Sequence, residues 1–323
     1  MTTLYRTLIA TALLGMAALP VLAQSWPQKP IKIIVTFNPG GSSDIVARLL
    51  QPGLQEKLGQ PVIVENKPGA GSTIGANAVA TAPTDGYTLL LSNTAPISIS
   101  PFMMDKAPYD PVKSFSHVAH IGSVPNVFVV HPSVPVKTMS ELVKWINAQA
   151  TPVNYGSGGV GSIGHIVGEM FKQQHQLKME HVPYKGSAPM HADLLGGRLQ
   201  FAVDTLTQNV PYIQDNKLVG LAVTARTRAA MAPTLPTVVE AGFPKLVADN
   251  FLGLSAPAGT PADVVEKLNK AVAEVVAQPT VAKRLAELGV TPEKMSAAEF
   301  TQFVTDQVSV WAPAVRASGA RMN

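Results

Sequence analysis

Ile31-Lys-Ile-Ile-Val-Thr-Phe37, then Asn38-Pro-Gly-Gly-Ser-Ser43, then Ile45, Val46, Leu49, Leu50, Leu54 and Leu58, is the stretch from which the fold is read. The first run is rich in β-branched residues and reads as a strand. The second is a turn. The third repeats its apolar residues at helical spacing, so it reads as a helix, kinked at Pro52 and ended by Gly59. Outward from it come a second strand, Pro61-Val-Ile-Val-Glu65, and the turn Asn66-Lys-Pro-Gly-Ala-Gly71. A short helix, Asp85-Gly86 and the strand Tyr87-Thr-Leu-Leu-Leu-Ser92 follow, stopping at Asn93.

The same order recurs from Pro152. The strand Val153-Asn-Tyr155 enters Gly156-Ser-Gly-Gly-Val-Gly-Ser162, and a helix runs from Ile163 to about Gln174. Next come the strand Met179-Glu-His-Val-Pro183, the turn Tyr184-Lys-Gly-Ser-Ala188, a helix ending at Gly196-Gly197, and the strand Leu199-Gln-Phe-Ala-Val203, stopping at Asp204. Alternating strands and helices imply parallel sheets with right-handed crossovers. Two copies of one unit imply two similar α/β domains, each a mostly parallel sheet flanked by helices. Late helices over about Ala262–Val276, Thr280–Leu288 and Ala297–Ala317 are expected on the first domain. The chain then crosses twice, near residues 122 and 245. This predicts residues 24–122 and 246–323 as one domain and 123–245 as the other.

Arg6, the apolar stretch Leu8 to Leu22 and Val21-Leu22-Ala23 describe a secretory signal peptide over residues 1–23, cut after Ala23. A membrane anchor fits less well, because the stretch is shorter than the ~20 apolar residues of a span and contains Pro20. The chain has no cysteine, which excludes disulfides, thiolate metal sites, cysteine nucleophiles and a lipid-modified cysteine. A freely diffusing periplasmic monomer is expected. The formal charge is +4, Lys and Arg are scattered, and no basic stripe for nucleic acid is present.

Ligands of open parallel sheets sit outside the carboxyl ends of the strands. Those ends carry Phe37 to Ser43, Ser92-Asn93-Thr94, Tyr155 to Ser162, Tyr184 to Ser187 and Asp204 to Thr207, with Lys185 the main basic residue. Gly40-Gly41-Ser42 and Gly158 to Gly161-Ser162 each open a helix, where free amides and the helix dipole suit an anion. Either turn alone reads more readily as an ordinary βα turn with its N-cap than as an anion site. The pair, in matched positions of two half-repeats, favours an anion site across a cleft, which would bind one carboxylate between the turns or two at opposite ends. Phe37 and Tyr184 are candidates to flank the ligand's carbon skeleton. Asp204 and Thr205 are candidates for its polar groups, and His165 either faces the cleft or packs behind it.

Gly156-Ser-Gly-Gly-Val-Gly161 also satisfies the dinucleotide pattern G-x-G-x-x-G, with Glu180 further on. That leaves a nicotinamide-dependent oxidoreductase as the alternative. No G-x-S-x-G elbow or H-E-x-x-H occurs. His117 and His120 have no acidic or cysteine companion nearby, so neither a metal nor a cofactor is expected.

These segments resemble the Bug family, the solute receptors of tripartite tricarboxylate transporters. The resemblance is carried by Asn38-Pro-Gly-Gly-Ser-Ser-Asp44-Ile-Val-Ala-Arg48, Val64-Glu-Asn-Lys-Pro-Gly-Ala-Gly71, Tyr155 to Ser162 with His165, and Val182-Pro-Tyr-Lys-Gly186. Leu235-Pro-Thr-Val-Val-Glu-Ala-Gly242 and Ala256-Pro-Ala-Gly-Thr-Pro261 extend it over essentially the whole mature chain. It implies a type II Venus-flytrap binding protein without catalytic activity, a small carboxylic-acid ligand, and delivery to membrane permease subunits. By motif position it points to Gly41, Ser42, Ser157, Ser162 and Asp204 as ligand contacts. Asn38 departs from the apolar or small residue more usual there. The lack of Arg in the strand-end loops favours a mono- or dicarboxylate over a tricarboxylate.

Overall fold

The computed structural model describes residues 26–322, so the signal-peptide expectation for residues 1–23 lies outside the described residues. The first unit is β1 (Ile31–Val35), α1 (Ser42–Leu58), β2 (Val62–Asn66), α2 (Thr73–Ala80) and β3 (Thr88–Asn93). The second is β5 (Val153–Ser157), α4 (Ile163–Gln174), β6 (Met179–Pro183), α5 (Ser187–Leu195), β7 (Phe201–Thr205) and α6 (Leu206–Gln214). Between them lie β4 (Phe115–Val130) and α3 (Met139–Asn147); after them come β8 (Val219–Val223), β9 (Asp249–Pro257), α7 (Ala262–Val276), α8 (Pro279–Glu287) and α9 (Ala297–Ser318). Pro52 sits inside α1, whose 17 residues continue past it to a left-handed Gly59.

The strand order is β2-β1-β3-β9-β4-β7-β5-β6, with β8 also on β4. Within each unit the strands are parallel, β1 between β2 and β3 and β5 between β6 and β7. The two triplets are joined by β4 and β9, which run antiparallel to each other. Over Phe115–Pro125, β4 pairs with β9; from Asn126 to Val130 it pairs with β7 and β8. One strand of 16 residues therefore belongs to both lobes, and the change of partner falls at Pro125-Asn126, opposite Asp249-Asn250.

Each triplet is covered on both faces, which is why its strands are apolar on both sides. Ile33, Val35 and Leu89 bury against Leu50 and Leu54 of α1 and Leu268 and Val272 of α7. Phe128, Tyr155 and Phe201 bury against Ile166, Val167 and Phe171 of α4. Each such side chain contributes roughly 1.5–3 kcal/mol by leaving water. The last helix is shared: Phe300 and Val304 pack with Leu90 and Phe251 on the first-lobe side, whereas Trp311 and Val315 join the second-lobe cluster with Ile99 and Met103. Full capping boxes, Thr138 with Glu141 and Ser296 with Glu299, start α3 and α9.

Candidate functional site

Parallel triplets send every following helix back from the same strand edge, so their N-termini gather there. Between the lobes that edge forms a cleft of about 950 Å³. The N-cap residues of five helices line it: Gly41 (α1), Ser72 (α2), Ser162 (α4), Gly186 (α5) and Thr205 (α6). Only Ser162 caps its helix with its own side chain. The other four have no side-chain cap, and their positive dipole ends face one space.

The α1 mouth is built around Asp44. Gly40, at φ +87°, lets the chain turn back so that its amide donates to Asp44 Oδ2 at 3.0 Å. Asp44 also accepts from Arg48 Nε at 3.0 Å and Asn66 Nδ2 at 2.9 Å. Burial alone would raise this carboxyl, but the bonds from Arg48, Gly40 and Asn66 outweigh it and hold its pKa below the usual value. The charge of Asp44 is thus consumed inside the protein. Gly41 makes no cap bond, and the amides of Ser42 and Ser43 find no acceptor among the described residues.

The α4 mouth is more self-contained. Ser162 Oγ donates to Gly159 O at 2.8 Å and accepts from the His165 amide at 3.3 Å. The Gly161 amide donates to His165 Nδ1 at 3.2 Å. The His165 ring stacks on His181 at 4.0 Å and 15°, and His181 Nε2 lies 2.7 Å from Ser157 Oγ. Burial lowers His165 to about 4; burial, then the His165 and Lys172 charges, lower His181 to about 3. Both rings are neutral at neutral pH, as an accepting Nδ1 requires. The donors left over are the amides of Ile163 and Gly164, the first two of α4. Gly164 is glycine because a Cβ there would lie 2.0 Å from Val203 O, where α4 presses on β7.

On the second-lobe wall, Asp204 ties the starts of α5 and α6 together. Its Oδ1 accepts from Ser187 Oγ at 2.8 Å and its Oδ2 from Asn209 Nδ2 at 3.1 Å. His191 Nε2 lies 3.4 Å from Oδ2 and 3.1 Å from Asn209 Oδ1. Serine, histidine and aspartate meet here, but the serine hydroxyl is spent on the aspartate and no base faces it. Ser157 and His181 do have the spacing of nucleophile and base, yet Ser157 is fully buried. Tyr184 OH donates to Asp193 Oδ2 at 2.8 Å, and desolvation followed by that carboxylate raises its pKa to about 12.

Of the residues expected from sequence, Phe37, Gly40, Gly41, Ser42 and Asn93 line the cleft from the first lobe. Gly158, Ser162, Tyr184, Lys185, Asp204 and Thr205 line it from the second. Five stand behind the wall. Ser92 Oγ accepts from Ser255 Oγ, and Thr94 Oγ1 accepts from the Phe251 amide. Ser157 and His165 are buried in the histidine stack, and the Gly161 amide is already spent on His165. Glu180, the acid of the dinucleotide reading, is an exposed residue of β6. Thr36, Ser72 and Asn126 line the cleft without having been expected there. Among the described residues, Lys185 is the one lysine or arginine that lines it.

A sequence model of the family described as tripartite tricarboxylate transporter family receptor matches residues 46–320. The chain is 36% identical over 315 residues to protein BugT of Bordetella pertussis, covering 97% of this chain and 96% of that protein. Among solved structures, one described as a periplasmic transporter is 37% identical with a TM-score of 0.86, covering 93% of this chain and 100% of the other. Rpa4515 of R. palustris, solved with adipate, is 32% identical with a TM-score of 0.85, covering 92% and 99%. The fold is that of a two-lobed periplasmic binding protein, and nothing in these likenesses supports the oxidoreductase alternative.

Proposed function

The chain belongs to the tripartite tricarboxylate transporter receptor family, and on that premise we propose that it captures a small organic acid in its cleft, in the periplasm, for delivery to membrane permease subunits. Among the described residues no helix is long and apolar enough to cross a membrane, consistent with a receptor that moves between ligand and permease. The relative solved with adipate is a precedent for an acid as ligand. The observation that carries the reading is the convergence of five helix N-termini, four without a side-chain cap, on one cleft.

In this reading one carboxylate sits between the open amides of Ser42 and Ser43 and those of Ile163 and Gly164. Lys185 adds attraction at the rim, and Asp204 positions the α5 and α6 starts without touching the acid. The lobes close by bending β4 and β9 at Pro125-Asn126 and Asp249-Asn250. The protein acts as a binder, not a catalyst, and works as a monomer.

Thermal melting against a panel of organic acids tests this. A ligand at 100 times its Kd stabilises the native state by about 2.7 kcal/mol and visibly raises the midpoint. A panel on which no acid moves the midpoint, or an acid that is turned over, contradicts the reading.

A further inference from the structure

Two glycines that precede helix N-caps, one in each lobe, face the same sulfur atom. Gly71 stands before Ser72, the N-cap of α2, and Gly161 before Ser162, the N-cap of α4. Both are left-handed, at φ +59° and +79°. A Cβ on Gly71 would lie 2.4 Å from Met322 Sδ and 3.1 Å from Ser100 Oγ. A Cβ on Gly161 would lie 3.1 Å from the same Ser100 Oγ and 3.6 Å from the same Met322 Sδ, with Met103 Sδ also at 3.6 Å. The two loops therefore share one floor, made of Ser100, Met103 and Met322.

Met322 reaches that floor from the far end of α9, the helix whose two ends bury in different lobes. The helix stops at a left-handed Gly319. Beyond it the Ala320 amide donates to Ser318 Oγ at 3.1 Å, Arg321 Nη1 pairs with Asp105 Oδ1 at 3.1 Å, and the Met322 amide donates to Met103 O at 3.0 Å. These bonds hold the backbone that carries the thioether. Ser100 is fully buried, and its hydroxyl donates to Gly71 O, so the first-lobe loop is also tied to the floor by a polar bond.

What rests on this floor is binding surface. Gly71 and Ser72 line the cleft from the first lobe, and Ser162, Ile163 and Gly164 line it from the second. Met322 is not a lining residue, so it acts through the loops and not by touching the acid. Close packing passes a displaced support on to whatever leans on it, and binding groups displaced by about 1 Å bind less well. A thioether, unbranched and polarizable, suits an irregular gap between two loops. We propose that Met322 is a positioning residue for ligand capture: its sulfur is the common rest of the loop at residues 69–72 and the loop at residues 159–162, and it sets how the α2 and α4 mouths stand to each other. Its effect on affinity rests on the reading of the cleft as an acid site; the shared seat itself does not.

The test uses M322A and M322L in the mature chain. Amide resonances of the ligand-free ¹⁵N-labelled proteins are compared with wild type, and calorimetry follows succinate, glutarate and adipate. M322A moves the amides of Gly71 and Ser72 and those of Gly161 to Gly164 together, and it weakens whichever of these acids binds the wild type about 3- to 10-fold. M322L, which refills the gap, restores affinity to within about twofold and returns both sets of amides towards their wild-type positions. A side chain that merely packs would lower the melting midpoint in M322A while affinity stays unchanged; that result overturns the proposal, as does a loss that M322L fails to restore. If none of the acids binds the wild type, the reading of the cleft falls by itself, and the amides still decide the seat: movement confined to one lobe, or none, overturns it.

Discussion

Gly164→Ala separates the two reasons for glycine at this site. The added Cβ would lie 2.0 Å from Val203 O and 2.9 Å from Val203 C, both backbone atoms of β7, whereas ordinary contact begins near 3.4 Å. The start of α4 must retreat by about 1.4 Å. Overpacking of this kind costs roughly 1–3 kcal/mol, which for lobes of this size lowers the melting midpoint by about 2–4 °C per kcal/mol. The retreat carries the Ile163 and Gly164 amides with it, and hydrogen bonds fade over such a shift. Affinity for the acid falls about tenfold. Gly158→Ala is the contrast. A Cβ there meets only Ser187 Oγ, at 3.9 Å, so stability stays within about 0.5 kcal/mol while the methyl occupies ligand space and weakens binding. Melting followed by circular dichroism, with and without acid, reads both effects. A G164A protein that melts and binds like wild type, or a G158A protein that unfolds while G164A does not, would refute the packing argument.

Three further outcomes are expected. Acidification destabilises the chain: His117 and His165 are lowered to about 4 and His181 to about 3, each mainly by burial, so from about pH 6.5 down to those values the unfolded state binds protons that the native state does not. Stability is lost over that window at about 1.4 kcal/mol per pH unit for each such histidine, and a midpoint flat between about pH 6.5 and 5 contradicts the buried neutral rings. Asp204→Ala removes the acceptors of the Ser187 hydroxyl and the Asn209 amide, costing about 1–3 kcal/mol and loosening the α5 and α6 starts; unchanged melting shows that the network carries no weight. Lys185→Met weakens acid binding at about 0.01 M salt and has little effect at about 1 M, where the Debye length is only ~3 Å; equal losses at both would show that Lys185 acts by contact instead.

The parts visible in sequence were those that repeat. The β1–α1 signal at Ile31 to Leu58 and its echo at Val153 to Gln174 disclosed the two α/β units, because strand and helix periods differ and glycine marks each switch. Their N-cap residues followed from the same pattern. What lay hidden depended on direction. Ser92 lies in β3 and Thr94 just past its end, and both turn inward, to Ser255 and to the Phe251 amide. His165 occupies the first turn of α4, where the spacing does not say which side it faces; it lies behind the turn, and by accepting from Gly161 it removes that amide as well. Asn126 stands just before the apolar run Val127 to Val130, and only the strand exchange at that residue places it at the cleft. Ser72 had no signal, since its place at the cleft comes from the left-handed path through Gly69 to Ser72. The helical period of α9 shows an apolar face but not that its two ends bury in different clusters.

Amide resonances of a ¹⁵N-labelled mature chain, followed while a bound organic acid is titrated in, test the central idea most directly. The account predicts that the Ser42, Ser43, Ile163 and Gly164 amides shift together, on both lobes and with one shared Kd, while the Gly161 amide, already held by His165, moves far less. Saturable binding that leaves those four unmoved would contradict it.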